Sequence, residues 1–141
     1  MTAKEYLNQL SHLKNNIESR IAQLTELRGL VSVVKGIAYD FDRVQTSPSG
    51  GMPASVDRLV DLEMKLEQDV IRYMTLKAEI VEQINSLDNA IYSRVLLKRY
   101  LQDKSLFTIS EEMGYSYSRI KFLHGYALQA FANKFLKVNT K

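Results

Sequence analysis

The residues that could do chemistry in this chain are few, and most of them are basic. The sequence has no cysteine, and its two histidines, His12 and His124, lie 112 positions apart. These counts exclude disulfides and thiolate metal sites and argue against a histidine metal site. There is also no glycine-rich phosphate loop, no acid pair of defined spacing and no nucleophile–base pair. We therefore expect a protein that is not an enzyme and needs no metal or other cofactor.

Charge separates the two ends of the sequence. Residues 1–84 hold ten Lys or Arg against twelve Asp or Glu, whereas residues 85–141 hold nine against four. The net charges are therefore −2 and +5, which sum to the +3 of the whole chain. A basic C-terminal part is typical of a module that binds a polyanion, although chance clustering on a solvated surface gives the same count.

Length and composition predict one ordinary domain, or a small domain with a helical extension. The chain has 141 residues, of which 45% are hydrophobic and 25% charged. No apolar run approaches the roughly 18 residues of a membrane span, and no signal peptide opens the sequence. We expect a cytoplasmic protein with no membrane partner.

Two long heptad patterns precede the basic part and predict helix-on-helix packing. Thr2 and Glu5 predict a capping box for a helix over residues 3–38. Its apolar seam is Tyr6, Leu10, Leu13, Ile17, Leu24, Leu27, Val31 and Val34, with Ile21 covering the gap at Arg20. The turn-rich residues 42–55 predict a loop. A second seam then runs through Leu59, Leu62, Leu66, Val70, Tyr73, Leu76, Ile80, Ile84 and Leu87.

These patterns predict an all-α protein whose residues 1–87 form a long, coiled-coil-like antiparallel hairpin. Two helices leave much of each seam uncovered, so the hairpin needs either the C-terminal part or a second copy against it. We expect a homo-oligomer, with a dimer as the first hypothesis. An intramolecular three-helix arrangement is the alternative.

Residues 88–141 predict a helix-turn-helix. A helix over 88–101 is followed by a helix capped by Ser105, and a last long helix is capped by Ser116. A small residue is needed where the two motif helices cross, and a residue that tolerates positive φ is needed in the turn four positions later. Ser110 supplies the small residue and Gly114 the turn residue. The apolar residues that flank them at the required spacing are Ile109, Met113, Tyr115, Ile120 and Leu123. A generic corner of a helical bundle is the alternative.

Three segments of this part resemble region 4 of the sigma-70-type sigma factors: Arg94–Tyr100, Thr108–Gly114 and Ser116–Lys121, followed by Ala127 and Leu128. That region is a helix-turn-helix that binds an upstream promoter element and touches RNA polymerase. The order of further motifs is similar to small phage and prophage proteins of Gram-positive bacteria, grouped with the RinA and ArpU late-gene regulators. These motifs are Tyr6–Leu7, Val44–Ser49 and Leu123–Leu128.

The resemblance implies which residues face DNA. The positions that read bases are Tyr117, Ser118 and Phe122, and none can repeat the bidentate contacts of Arg to guanine or Gln to adenine. The two aromatic residues could meet thymine methyl groups instead, so we expect a site other than the ordinary promoter element. Arg119 and Lys121 match the family's phosphate-contacting positions. Further phosphate contacts are expected from Ser116, Lys98, Arg99 and Lys104.

The remaining polar and aromatic residues have simpler interpretations. We expect His124 to be a partly buried or surface imidazole without a ligand. Glu111 and Glu112 are interpreted as solvated charge, although the resemblance allows a contact with host RNA polymerase. Core or interface roles are predicted for Tyr126, Ala127, Leu128, Phe131 and Phe135.

Taken together, the sequence predicts a DNA-binding transcriptional regulator of phage or prophage genes that binds double-stranded DNA as an oligomer. A DNA-packaging component similar to a terminase small subunit is one alternative, although those proteins usually place the DNA-binding unit first. The other alternative is a coiled-coil module that binds protein and not nucleic acid.

Overall fold

The computed structural model describes residues 1–42 and 54–136, and the side chains of residues 1–33 and 56–136. Within these ranges every regular element is a helix, which confirms the all-α class. The helices are α1 (Ala3–Asp42), α2 (Ala54–Asn85), α3 (Ala90–Leu96), α4 (Leu106–Met113) and α5 (Tyr117–Phe131). Two of them, α3 and α5, continue into π-helical turns at Leu97–Leu101 and Ala132–Leu136. No helix in the described ranges is both long and apolar enough to cross a membrane.

The first helix begins at the predicted capping box. The N–H of Thr2 donates to Oε1 of Glu5 at 2.9 Å, and the N–H of Glu5 donates to Oγ1 of Thr2 at 3.1 Å. These hydrogen bonds lower the pKa of the Glu5 carboxyl, because they stabilise its charged form. The helix ends at Asp42, four residues later than predicted. A glycine inside a helix costs only about 1 kcal/mol, and Gly29 does not interrupt α1.

The chain divides into two compact units, and the boundary differs from the predicted one at residue 87. The terminal unit is Met1–Lys14 with Arg72–Lys141, and the middle unit is Asn15–Ile71. Both long helices therefore contribute to both units. The predicted loop over 42–55 lies outside the described residues apart from Asp42, which ends α1, and Ala54 and Ser55, which open α2.

In the middle unit, α1 and α2 pack antiparallel. Nε of Arg20 lies 3.0 Å from Oδ2 of Asp69, and a guanidinium nitrogen of Arg28 lies 3.4 Å from Oε1 of Glu63. The partners run in opposite order along the two helices, as an antiparallel pair requires. Arg20, which interrupts the predicted apolar row of α1, thus pairs with Asp69 of α2. The expectation for Ile21 is wrong, because that side chain is 47% exposed.

The terminal unit contains the main hydrophobic core. It joins the start of α1 and the end of α2 to the C-terminal helices, so the C-terminal part covers the hairpin seam in this unit. Its buried residues are Ala3, Leu7, Leu10, Ile80, Ile84, Leu87, Leu96, Tyr100, Ala127 and Phe131. Leu7 is fully buried but lies outside the predicted seam. Here too the helices are antiparallel, and the Tyr6 hydroxyl donates to Oε1 of Gln83 at 2.9 Å.

Candidate nucleic-acid interface

The chain turns sharply between α4 and α5, and both helices are capped at this corner. The Oγ of Ser105 accepts a hydrogen bond from the N–H of Thr108 at 3.1 Å, which caps the start of α4. Gly114 ends that helix with φ 72°, in the left-handed region that favours glycine. The Oγ of Ser116 accepts from the N–H of Arg119 at 3.1 Å and caps α5. These local hydrogen bonds set the direction in which α5 leaves the turn.

A small hydrophobic cluster holds the corner against α3. Val95, Ile109 and Ile120 are fully buried in it, one from each of the three helices. Ser110 is 5% exposed, and its hydroxyl donates to the carbonyl of Phe107 at 2.6 Å. The half-buried side chains around the cluster are Leu106, Met113, Tyr115 and Leu123. The structure thus brings the seven predicted corner residues together and buries the inner side of α5.

The three residues predicted to face bases lie on the opposite side of α5. We call Tyr117, Ser118, Lys121, Phe122 and Gly125 the outer face, because their spacing places them on one side of the helix. All five are exposed. Phe122 is 66% and Tyr117 45% exposed. A row of exposed side chains on a braced helix can enter a groove without rearrangement of the core.

Two cations on α5 are stacked on neighbouring aromatic rings. The guanidinium carbon of Arg119 lies 5.2 Å from the centre of the Tyr115 ring, and Nζ of Lys121 lies 4.9 Å from the centre of the Tyr117 ring. The Phe107 ring meets Tyr117 edge-on, with 6.3 Å between ring centres. Such stacking reduces the freedom of both cations without neutralising them. Because α5 contains no Asp or Glu, every charged side chain on it is a cation.

Lys98 and Lys104 have a carboxylate partner that the sequence did not reveal. Their Nζ atoms lie 2.6 and 2.8 Å from carboxylate oxygens of Glu112. These hydrogen bonds, the one from Lys104 first, lower the pKa of Glu112. Glu112 is therefore an ion-pair acceptor for two lysines and not merely solvated charge. Both lysines, predicted to contact phosphates, therefore already have a carboxylate as a competing partner.

Arg99 also has an internal role. Its guanidinium donates to the carbonyl of Lys104 at 3.1 Å, which ties the turn after α3 to the preceding helix. The residue is only half-exposed. Of the six predicted phosphate contacts, Ser116, Arg119 and Lys121 are the exposed ones.

His124 is half-buried, and its side chain pairs with the buried Tyr100, a partner that the sequence did not reveal. The Tyr100 hydroxyl lies 2.8 Å from Nε2 of His124, and their rings stack with centres 5.7 Å apart. Burial raises the pKa of Tyr100 to about 12. Burial, followed by the charges of Arg99 and Lys4, lowers the pKa of His124 to about 4. The imidazole is thus neutral at physiological pH and joins α5 to the turn after α3.

The aromatic residues beyond His124 divide between core and surface. Ala127 and Phe131 are fully buried, and Leu128 and Phe135 pack beside them. Tyr126, predicted to be a core or interface residue, is 54% exposed and thus lies outside the core. The described residues contain no group of three or more His, Asp or Glu that could hold a metal ion. The chemistry available at this surface is the binding of an anion with apolar groups nearby.

Replacing Gly114 or Gly125 by alanine should change the free energy of unfolding in opposite directions. Neither Gly114 nor Gly125 has an atom within 4 Å of an added Cβ, so only backbone preference differs. Gly114→Ala should lower the free energy of unfolding by about 1 kcal/mol, because its φ is positive. Gly125→Ala should raise it by about 0.5–1 kcal/mol, because that residue is helical. Urea unfolding measures both; a shift in the same direction would contradict the geometry of the turn.

The buried imidazole predicts a pH dependence of stability. The pKa of His124 is about 6.5 in the unfolded chain and about 4 in the folded one. The unfolded chain therefore binds a proton at this residue below about pH 6.5, and the folded chain does so only below about pH 4. The unfolded state therefore holds more protons between these values, so stability rises with pH across this window. In His124→Gln, whose amide can still bond to Tyr100, the rise between pH 5 and 7 should flatten. Urea unfolding at several pH values measures it, and identical profiles would show that the imidazole is not desolvated.

Comparison with known proteins gives no match: no family model, no curated protein and no solved structure matches this chain. The resemblance to sigma region 4 and to the RinA and ArpU regulators therefore stays a prediction from the residues. The function has to be inferred from the arrangement of this chain's own side chains.

Proposed function

We propose that this protein binds double-stranded DNA through the outer face of α5 and regulates transcription of phage or prophage genes. The observation that carries the proposal is the exposure of Tyr117, Ser118 and Phe122 on a helix whose opposite side is buried. An α-helix fits the major groove of B-form DNA, where base edges can be read. A helix already braced by a core needs no rearrangement to present that face.

Electrostatics supports a polyanion as the ligand. Arg119 and Lys121 lie on α5 between Ser118 and Phe122 in the sequence, and α5 has no acidic residue to oppose a phosphate. The N-terminus of α5 adds the partial positive charge of a helix end. Ser116, which caps that end, keeps its hydroxyl hydrogen available for a phosphate oxygen. These groups would position the protein on the backbone while the outer face meets the bases.

The regulatory part of the proposal rests on the sequence resemblance. The segments similar to sigma region 4 include α4, the turn and the start of α5, which are the elements that form the proposed interface. A role in DNA packaging would use the same surface on a different DNA site. Binding near a late promoter, as opposed to a packaging site, separates these two roles in a footprinting experiment on prophage DNA.

We further propose that the protein acts as a homo-oligomer through the middle unit. The expectation that the predicted seam joins two copies needs revision, because Leu24 is 1% exposed and packs within the chain. Other apolar side chains of this unit remain in water: Ile21, Leu30 and Val33 on α1, and Val60, Met64 and Ile71 on α2. Spacings of four and seven residues place the three on α2 on one side of that helix. Exposed apolar rows of this kind are typical of surfaces that bind another helix.

Salt dependence tests the DNA interface. Replacing both Arg119 and Lys121 by Ala should weaken binding to every duplex, because phosphate contacts do not read sequence. The slope of log affinity against log salt should fall by about 2, since each phosphate contact contributes about 0.9. Fluorescence anisotropy of a labelled duplex between low and moderate salt gives the slope.

The matched control for this experiment is Arg72→Ala with Lys77→Ala, which removes the same charge from exposed positions on α2. This control should keep the original slope. If both double variants lose the same slope, the effect is one of net charge and α5 is not the interface. If the unaltered protein binds no duplex at all, the proposed function is wrong, and a protein-binding role takes its place.

Replacing residues of the exposed apolar row on α2 by glutamate tests whether this row joins two copies. The unaltered chain should have a mass of at least twice 16.2 kDa by light scattering. Met64→Glu with Ile71→Glu should reduce it to the mass of one chain, because carboxylates are costly to bury in an apolar interface. Lys65→Glu on the same helix makes the same net charge change and should leave the mass unaltered. A monomeric unaltered protein would contradict this part of the proposal.

A further inference from the structure

We infer that the outer face of α5 recognises thymine through its 5-methyl group, with Phe122 as the main contact. This inference rests on the proposed function and specifies what its DNA site contains. It follows from the kinds of side chain that the outer face presents and from those that it lacks.

Side-chain amide, carboxylate and guanidinium groups, which make most of the specific hydrogen bonds to base edges, are absent from the outer face. Between residues 117 and 125 there is no Asn, Gln, Asp or Glu. Arg119 is stacked on Tyr115, and His124 is bonded to Tyr100, so neither the guanidinium nor the imidazole belongs to this face. Of the bidentate pairings that read guanine or adenine, the outer face can form none with an amide or a guanidinium. Lys121 remains, and its ammonium group is held over the Tyr117 ring.

Phe122 is the largest apolar group that this face offers. Its side chain is 66% exposed, and it has no aromatic or cationic partner among the described residues. Tyr117 differs, because Phe107 meets its ring edge-on and Lys121 lies above it. In the major groove the apolar group displayed by the bases is the thymine 5-methyl. Of the four bases, only thymine therefore offers an apolar group that an unpartnered phenyl ring in this groove can contact.

The centre of the outer face allows the bases to come close. Ser118 and Gly125 lie along its midline, and an added Cβ at Gly125 would meet no atom within 4 Å. Glycine is therefore not required there by packing inside the protein. Helical spacing places the residues across this face in the order Tyr117, Lys121, Gly125, Ser118 and Phe122. The two small residues therefore lie next to Phe122 and leave room for a thymine methyl beside the phenyl ring.

The inference is tested by removing the methyl group alone. The full-length protein is used to select its tightest duplexes from a pool of random sequence, about one and a half helical turns long. The best duplex is then synthesised with each thymine replaced in turn by uracil, which keeps the base pair and loses only the methyl. At one or two positions uracil should weaken binding about fourfold, because burial of one such group is worth about 0.8 kcal/mol.

Variants of Phe122 link this loss to the proposed contact. In Phe122→Ala the thymine and uracil duplexes should bind equally, whereas Phe122→Leu, which keeps an apolar side chain, should retain the preference. Met74→Ala removes an exposed apolar side chain of α2 that belongs to neither proposed interface, and it should leave the ratio unchanged. Because Phe122 is exposed, its variants should keep the circular dichroism and urea midpoint of the unaltered protein.

The outcomes separate this inference from the proposed function. Specific duplex binding without any methyl dependence, or a dependence that persists in Phe122→Ala, overturns the inference and leaves the function standing. Equal binding of all duplexes also overturns it. Absence of duplex binding, or tighter binding to single strands of the same pool, overturns both, since the exposed aromatic residues would then serve a protein surface or stack on unpaired bases.

Discussion

The proposed interface depends on the burial of one side of α5 in two separate hydrophobic clusters. Ile120 is fully buried in the small cluster with Val95 and Ile109, and Ala127 and Phe131 are fully buried in the main core. Burying a side chain such as Ile or Phe is worth about 1.5–3 kcal/mol. A rotation of α5 by one residue would expose both Ile120 and Phe131. The outer face is therefore held in its orientation by groups that never touch a ligand.

The basic side chains of the terminal unit differ in the partners that they have within the protein. Glu112 accepts hydrogen bonds from both Lys98 and Lys104, and Arg99 donates to a backbone carbonyl. These three basic residues stabilise the turn between α3 and α4, and together with Glu112 they carry a net charge of +2. Arg119 and Lys121 stack on aromatic rings, which leaves their charge uncompensated. The cations of α5 and those of the turn between α3 and α4 would therefore both attract a polyanion.

Features with a local cause could be predicted from the sequence, whereas those that depend on distant partners could not. The caps at Thr2, Ser105 and Ser116 and the positive φ of Gly114 follow from residues within one helical turn. The partner of Lys98 lies 14 residues away, and the Tyr100–His124 pair is separated by 24 residues. No local pattern signals such pairs. Distance in sequence therefore explains why the corner was foreseen and its ion pairs were missed.

The limited number of contacts that α5 offers explains why a second copy matters for the proposed function. Two exposed cations neutralise few phosphates, so one α5 adds little to non-specific binding, whose dissociation constant is typically about 10⁻⁴–10⁻⁶ M. The outer face would read only a few bases, because about two turns of helix would reach the groove. Joining two such units makes the second binding event intramolecular and raises the overall affinity by about 10²–10⁴. The apolar row of Val60, Met64 and Ile71 on α2 is left exposed by the part of the chain that the structure describes. A surface of this kind would join two copies without using any residue of the proposed DNA interface.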